Sequence, residues 1–539
     1  MGRFGWSATI LAILMLQGHV PPLCHGQPPA LPPSSRPPMP PDTTPAPALQ
    51  PAGTSPSPFD YGMRLKPAPL QANDRPLPIN LATALRLCDA RPLIVATAQA
   101  EVWVAEAQLT HAKVLWVPTL EFGGDYIRHD GGGTDINKGV LTPQSDNFFY
   151  GGAAADQYVN LCDAIYQPLV ARQVLNSRQW DVQTAKNDAL MMTAESYFKV
   201  HQYRGKYAGA LYTVERGHDL VARIASLSKE LVPAVEVERA KNVLADLQQR
   251  ATSAREMWRV HSADLTQLLR LDPRTVIVPM EHDHLQITLI DPAQPLDEMM
   301  NIALKNRPEI AANRALVAAA EARIRREKMR PALPVIMING FQSAGMLIQG
   351  GIFGLGPNSS LNQWTGRADV SLQAMWQLEG FGIGNLARVK QQRGEESHSI
   401  IMLYRAQDKV AAEVTEARAR LQSATARVSQ ADRALRTAII TFNGNFEGLK
   451  QTMRFGDVLR LVYRPQEAVY ALDLMNLAFN EYFSTVADYN RTQFELFHAL
   501  GYPARELTIV RSPGDILPVE TGRPAYLPVV GNGPPPATN

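Results

Sequence analysis

Residues 414–442 read VTEARARLQSATARVSQADRALRTAIITF. Val414, Leu421, Val428, Leu435 and Phe442 recur every seven residues, and Ala417, Ala424, Ala431 and Ala438 stand three positions after the first four. A sustained apolar a/d repeat keeps one seam of a helix against a partner helix. Alanine at d lets the partner approach closely, which suits antiparallel hairpins better than a leucine-rich dimer. Upstream, Ile400, Leu403 and Val410 continue the register. Residues 234–272 repeat the pattern through Val237, Ala240, Leu244, Leu247, Ala251, Ala254, Trp258, His261, Leu265 and Leu268, and residues 466–502 through Val469, Leu472, Phe479, Phe483, Val486, Phe497 and Leu500. On such a stripe His261 is a seam histidine rather than a ligand.

Proline placement bounds these helices. The chain of 539 residues holds 41 prolines, of which residues 1–78 carry nineteen and residues 503–539 carry eight. The windows 169–232, 234–272, 358–464 and 466–502 have none. Proline removes a donor and clashes with the preceding helical turn, so such windows can hold long helices. Residues 170–232 would give about 95 Å of helix and residues 384–464 about 120 Å. Pro233 and Pro465 then mark the tips of two coiled hairpins.

Before the helices, Arg3 and the apolar Trp6–Leu16 form an export signal, with cleavage after Gly26. A lipoprotein signal would also use Cys24, but Pro21-Pro22-Leu23 before it lacks the small residue such a site needs. Residues 27–78 are expected to be a Pro-rich disordered linker, and residues 504–539 a disordered tail. Past the leader no apolar run of about 18 residues exists, so no transmembrane helix is expected and only a barrel could insert in a membrane. A net charge of +2 argues against a nucleic-acid binder. Three cysteines, Cys24, Cys88 and Cys162, make neither a disulfide framework nor a zinc site.

Between the ends the sequence occurs twice. Ala84-Leu85-Arg86-Leu87, Arg91-Pro92, Ala105-Glu106-Ala107 and Pro118 answer to Asp297-Glu298-Met299-Met300, Arg307-Pro308, Ala320-Glu321-Ala322 and Pro331. Each copy closes on a matching terminus, Leu269-Arg270-Leu271-Asp272-Pro273 and Ala499-Leu500-Gly501-Tyr502-Pro503. The first copy spans 79–273, a connector 274–294, and the second copy 295–503. Each also carries a strand pair. Val370, Leu372, Ala374, Trp376 and Leu378 alternate with mostly polar neighbours. Tyr158–Leu169 is the matching strand of the first copy, with poor alternation. Upstream partners are expected at Val117–Ile127 and Val335–Met346, with glycine-rich loops at Asp130–Asp135 and Gly350–Ser360. The fold class is mainly α with a small β part. Four strands cannot close a barrel of useful width, so membrane strands here require several chains.

This combination resembles the TolC-type outer-membrane efflux proteins over roughly residues 79–503. The segments that carry it are Ala105–Leu109 with Pro118, Leu231–Gln248, Leu268–Pro273, Asp488-Tyr489-Asn490-Arg491 and Ala499-Leu500-Gly501. The resemblance implies a homotrimer closing a twelve-stranded barrel in outer-membrane lipid, with the helical part as a tunnel in the periplasm. It also implies a periplasmic adaptor and an inner-membrane pump as partners in efflux or type I secretion. By resemblance, Lys229, Glu230, Leu231, Val232 and Pro233 of one tip, with Arg464 and Pro465 of the other, are adaptor-docking candidates. The glycine usual there is replaced by Glu230 in the first tip and missing from Leu461–Gln466 in the second. Glu467, Tyr470 and Asp473 are candidates for the periplasmic aperture, where one carboxylate per chain becomes a ring of three. Glu467 is equally readable as a carboxylate favoured by its helix N-terminus. Glu236 and Glu238 are expected on solvated faces.

No catalytic signature is present, and neither cofactor nor metal is expected. Glu281-His282-Asp283-His284 is read as a polar loop without a third ligating partner. The Gly350–Gly356 run lacks the Gly-Lys-Ser/Thr of a phosphate loop. The rival reading is a periplasmic coiled-coil adaptor or scaffold without a barrel, and the duplicated strand pairs speak for the duct.

Overall fold

The computed structural model describes residues 50–51, 65–90, 93–135, 139–228, 231–339, 348–357, 361, 363–455 and 458–502. The leader 1–26, the tail 504–539, most of the linker, and Lys229 and Glu230 lie outside the described residues. In chain order the first copy comprises β1 (Arg75–Ile79), α1 (Leu81–Ala90), α2 (Leu93–Lys113), β2 (Thr119–Asp135), β3 (Val140–Asn160), α3 (Leu161–Leu227) and α4 (Ala234–Leu268). After β4 (Thr275–Pro279) come α5 (Leu296–Asn306), α6 (Pro308–Met329), β5 (Val335–Asn339), β6 (Ile348–Pro357), β7 (Gln363–Met375) and α7 (Ile383–Gly448). A hairpin of β8 (Thr452–Phe455) and β9 (Val458–Leu461) precedes α8 (Pro465–Ala499). The chain is mostly helical with a small β part. Among the described residues no helix is long and apolar enough to cross a membrane.

The heptads do what their spacing predicts. Val410, Val414, Ala417, Leu421, Ala424, Val428, Ala431, Leu435 and Phe442 are buried along α7, which packs antiparallel to α8. On α3, Gly205 and Gly209 lie under the rings of Phe483 and Phe479 of α8. A Cβ at Gly205 would stand 2.5 Å from the Phe483 ring. Glycine in a helix interior costs about 1 kcal/mol against alanine. Here that loss is offset by seating two phenyl rings against the α3 backbone.

Five antiparallel strands form the sheet, with β5 and β6 in line so that it is four strands wide. β2 pairs with β3 over its whole length, from Thr119↔Asp156 to Asp135↔Val140. β5 and β6 together fill the place between β3 and β7. Ala155 faces Ile348 and Gln157 faces Ile338, so two steps along β3 match ten on its partner. The eight extra residues, 340–347, lie outside the described residues.

Several expectations are corrected. Of Tyr158–Leu169 only Tyr158–Asn160 is strand, because the Asn160 side chain accepts from the amides of Cys162 and Asp163 at 3.1 and 3.3 Å and starts α3 at Leu161. Pro168 is carried inside that helix. Of the glycine-rich stretches expected as loops, Asp130–Asp135 lies in β2 and residues 350–357 lie in β6, both paired with β3, while 358–360 lie outside the described residues. Helix α7 ends at Gly448 instead of near 464, because Thr452–Leu461 pairs with itself. At 66 residues it is about 100 Å long. The linker also ends early, since β1 lies within it and runs parallel to β4.

The connector 274–294 ties this middle level together. Glu281 accepts from the Leu81 amide at 2.7 Å and from the Tyr197 hydroxyl. Trp258 donates to the Ile277 carbonyl at 3.0 Å, and His201 Nε2 meets the His282 carbonyl at 2.9 Å. The Glu281–His284 stretch is thus a strut against α3, and among the described residues no group of ligating side chains could hold a metal. At the two copy ends, Arg270 and Gly501 adopt positive φ, 54° and 70°. Leu271 N donates to Thr266 O at 2.8 Å, closing the helix cap.

Two outcomes are expected. Gly205→Ala should destabilise by about 1–3 kcal/mol in denaturant melts, although alanine is the better helix former, and Phe483→Leu should remove most of that loss. Burial lowers the His201 pKa below 6.5, against the opposing pull of Asp283 and Glu281. The folded state therefore resists protonation that the unfolded chain accepts. This contribution is complete above the free-imidazole value and disappears as pH falls through the folded one. Thermal stability should drop between about pH 7 and pH 5, with a shallower slope in His201→Gln.

Candidate functional site

The two helical hairpins end differently. At the first, Leu231 N donates to Leu227 O at 2.9 Å, and Pro233 is the N-cap of α4. Val232 is buried with Leu220, Ile224 and Val237, and Leu231 packs half-buried beside them. The apolar pair is part of the hairpin's core and does not project as a knob. At the second, Pro465 opens α8 from a buried N1 position, while Val462, Tyr463 and Arg464 are exposed. Their approach is set by Gly448, where a Cβ would stand 2.3 Å from the Tyr463 ring.

Just inside the tips, α4 and α8 flank a groove of about 890 Å³. Its floor near the tips is Glu236, only 7% exposed, which accepts from Arg239 at 2.6 Å and from Gln466 Nε2 at 3.0 Å. Glu236 is therefore not on a solvated face as the sequence suggested; the partner helix covers it. Glu238 is exposed and pairs with Lys241 at 2.8 Å. Further along, Arg250 of α4 reaches Asp473 of α8 at 3.0 Å and Asp246 at 2.7 Å. Tyr470 lines the same groove and is exposed. Glu467 lies outside the lining, on the first exposed turn of α8, with its carbonyl accepting from Asn445 at 3.3 Å.

No family model and no curated protein matches the sequence. Solved structures do match. The outer-membrane channel OprN is 14% identical with a TM-score of 0.62, covering 87% of this chain and 98% of its own. The Campylobacter jejuni CmeC outer membrane channel is 11% identical at a TM-score of 0.61, covering 78% and 85%. The outer membrane protein VceC of Vibrio cholerae is 12% identical at 0.60, covering 78% and 96%. The fold is that of the TolC-type outer-membrane channels.

Within this channel fold, Tyr470 and Asp473 of the aperture candidates come together at one groove, and Glu467 stands apart. The residue the sequence did not offer is Arg250. It falls between seam positions Leu247 and Ala251, and its partner lies 223 residues away, so only the packing of α4 on α8 reveals it. Both partners are more than two-fifths exposed. A double-mutant cycle of Arg250→Ala and Asp473→Ala should therefore give a coupling of no more than about 1 kcal/mol in stability. A much larger value would make the pair a structural strut instead of a latch that can open.

Proposed function

We propose that three copies of this chain assemble into an outer-membrane exit duct whose helices form a tunnel in the periplasm. The observation that carries this is the sheet. Edge strands β2 and β7 each pair on one side only, along 17 and 13 residues, among the described residues. Rows across it alternate in chemistry. Leu120, Ala155, Ile348 and Val370 share one row, as do Phe122, Ala153, Gly350 and Ala368, and Tyr126, Phe149, Gly354 and Trp364. Between them lie mixed rows, from Glu121, Ala154, Gln349 and Asp369 to Ile127, Phe148, Leu355 and Gln363. Leu120, Phe122 and Trp364 of the apolar rows are 65%, 79% and 52% exposed.

A half-exposed aromatic row beyond aliphatic ones, with mixed rows between, suits a barrel wall with lipid outside and water inside. Open edges cannot stand in hydrocarbon, and three such sheets joined edge to edge close a barrel of twelve strands. Exposed Trp103 and Val104 on α2, and Ile383 and Leu386 at the start of α7, supply apolar surface for the seams between copies. A scaffold without a barrel leaves these rows unexplained.

By likeness to TolC-type ducts, the partners are a periplasmic adaptor at the tips and an inner-membrane pump behind it. Leu231 to Pro233, Arg464 and Pro465 remain the docking candidates, together with Lys229 and Glu230. Transport through the duct is passive, and the groove controls it. Arg250 held between Asp246 and Asp473 keeps α4 against α8, and Tyr470 narrows the way beside them. Glu467, Tyr470 and Asp473 from each copy would form the aperture.

Unheated protein should migrate on gels as a trimer in the outer-membrane fraction and collapse to the monomer on boiling; a soluble periplasmic monomer would falsify the duct. In planar bilayers, Glu467→Ala with Asp473→Ala, and separately Arg250→Ala, should raise single-channel conductance. Unchanged conductance in Arg250→Ala would remove the groove from gating.

A further inference from the structure

The helices next to the sheet follow the order of their strands. Among the described residues α2 packs on α3, α3 on α6 and α6 on α7, as β2, β3, β5 and β7 succeed one another across the sheet, so α2 and α7 are the two flanks. Each flank carries a second face, turned away from its buried one. On α2, Ala96, Ala100, Trp103, Ala107 and Thr110 recur at helical spacing and are all exposed, Trp103 by 63%. On α7, Ile383, Leu386, Lys390, Gly394, Ser397 and Ile401 do the same. One large ring thus stands among small residues on one flank, and one glycine stands mid-face on the other. A Cβ at Gly394 would meet nothing within 4 Å, although the residue lies well inside α7. Glycine so placed costs about 1 kcal/mol against alanine. At Gly205 and Gly209 the same loss makes room for the rings of Phe483 and Phe479. At Gly394 no ring of the same copy takes the room.

We propose that the Trp103 indole of one copy seats on Gly394 of the next, making α2 against α7 the helical seam between copies. The proposal rests on the duct reading, which supplies the ring that brings opposite flanks together. The levels agree. Trp103 stands ten residues, about 15 Å, before the end of α2, and Gly394 eleven residues, about 17 Å, after the start of α7. Both of those ends lead to the sheet, at its edge strands β2 and β7, which meet when the barrel closes. The two helices run in opposite directions there, so equal distances from the sheet are equal heights. The charges agree as well. Glu106 lies seven residues before the end of α2 and Lys390 seven residues after the start of α7. Both are exposed, and neither has an ion partner among the described residues. Those charges, with Thr110 and Ser397, make lipid a poor occupant of either face and a complementary helix a good one. Small residues around Trp103 let the backbones approach, and the indole supplies most of the area buried.

The test uses full-length protein in detergent, with Cys88 and Cys162 kept because both are buried. Trp103→Cys and Gly394→Cys are placed on separately tagged copies and expressed together. Mild oxidation should link the two tags into one band on boiled, non-reducing gels, and neither variant alone should give that band. In an otherwise native chain, Gly394→Leu should lower the temperature at which the trimer band gives way to monomer. Adding Trp103→Ala should recover most of that loss, since it removes the ring the leucine displaces. Glu106→Lys should act in the same direction, with recovery by Lys390→Glu. A Gly394→Leu trimer as heat-resistant as the native one, purely additive effects within both pairs, or no mixed band from a trimer that forms overturns the proposal. The native chain separates the two readings. A conducting trimer without the mixed band sinks this seam alone, and native protein that stays monomeric sinks the duct.

Discussion

Hydrocarbon offers no hydrogen-bond partner, so each backbone amide and carbonyl placed there must find one within protein. The sheet of this chain meets that demand only inside itself. Among the described residues its two outer strands pair on one side only, and in the proposed duct the apolar rows would face lipid. The assembly follows from this. A closed ring needs copies, and copies bring their helices side by side. Exposed apolar positions on α2 and α7 have a use only then. Even the thinness of each hairpin, with one seam buried and the rest wet, is reasonable for a stave and poor for a free-standing domain.

The helices could be read from sequence because their signal is local and repeated. A seven-residue period needs no knowledge of the partner, and Pro233 and Pro465 stop helices wherever they occur. The strands were harder. Glycine is permissive, so Gly131 to Gly133 and Gly350 to Gly356 look like loop residues until the register places them in β2 and β6. The start of α3 was misplaced for a similar reason. Pro168 signals a boundary by composition, yet the deciding contact is the cap from Asn160.

At the candidate site the sequence supplied one side of the groove. Tyr470 and Asp473 were offered by the resemblance to the TolC-type family, but Arg250 and the burial of Glu236 depend on how two helices from different copies of the repeat face each other. That pairing has no local signature. The β8–β9 hairpin lies in a proline-free window, where no breaker in the sequence marks the end of the helix. Thr452–Phe455 and Val458–Leu461 are short, and only their pairing and the close fit of Tyr463 on Gly448 end the helix.

The strand β1 has a consequence for how the molecule is made. It pairs with β4 in parallel, Arg75 with Thr275, so it waits for a partner 200 residues downstream. Tyr197 and His201 likewise complete their bonds only when Glu281 and His282 arrive. A ribosome delivers the chain from its N-terminus, so α3 has only α1, α2 and α4 to pack against until the second copy arrives. Contacts of such sequence separation form slowly and expose aggregation-prone surface. Synthesis thus produces α3 well before α8, the helix whose Phe483 and Phe479 cover Gly205 and Gly209.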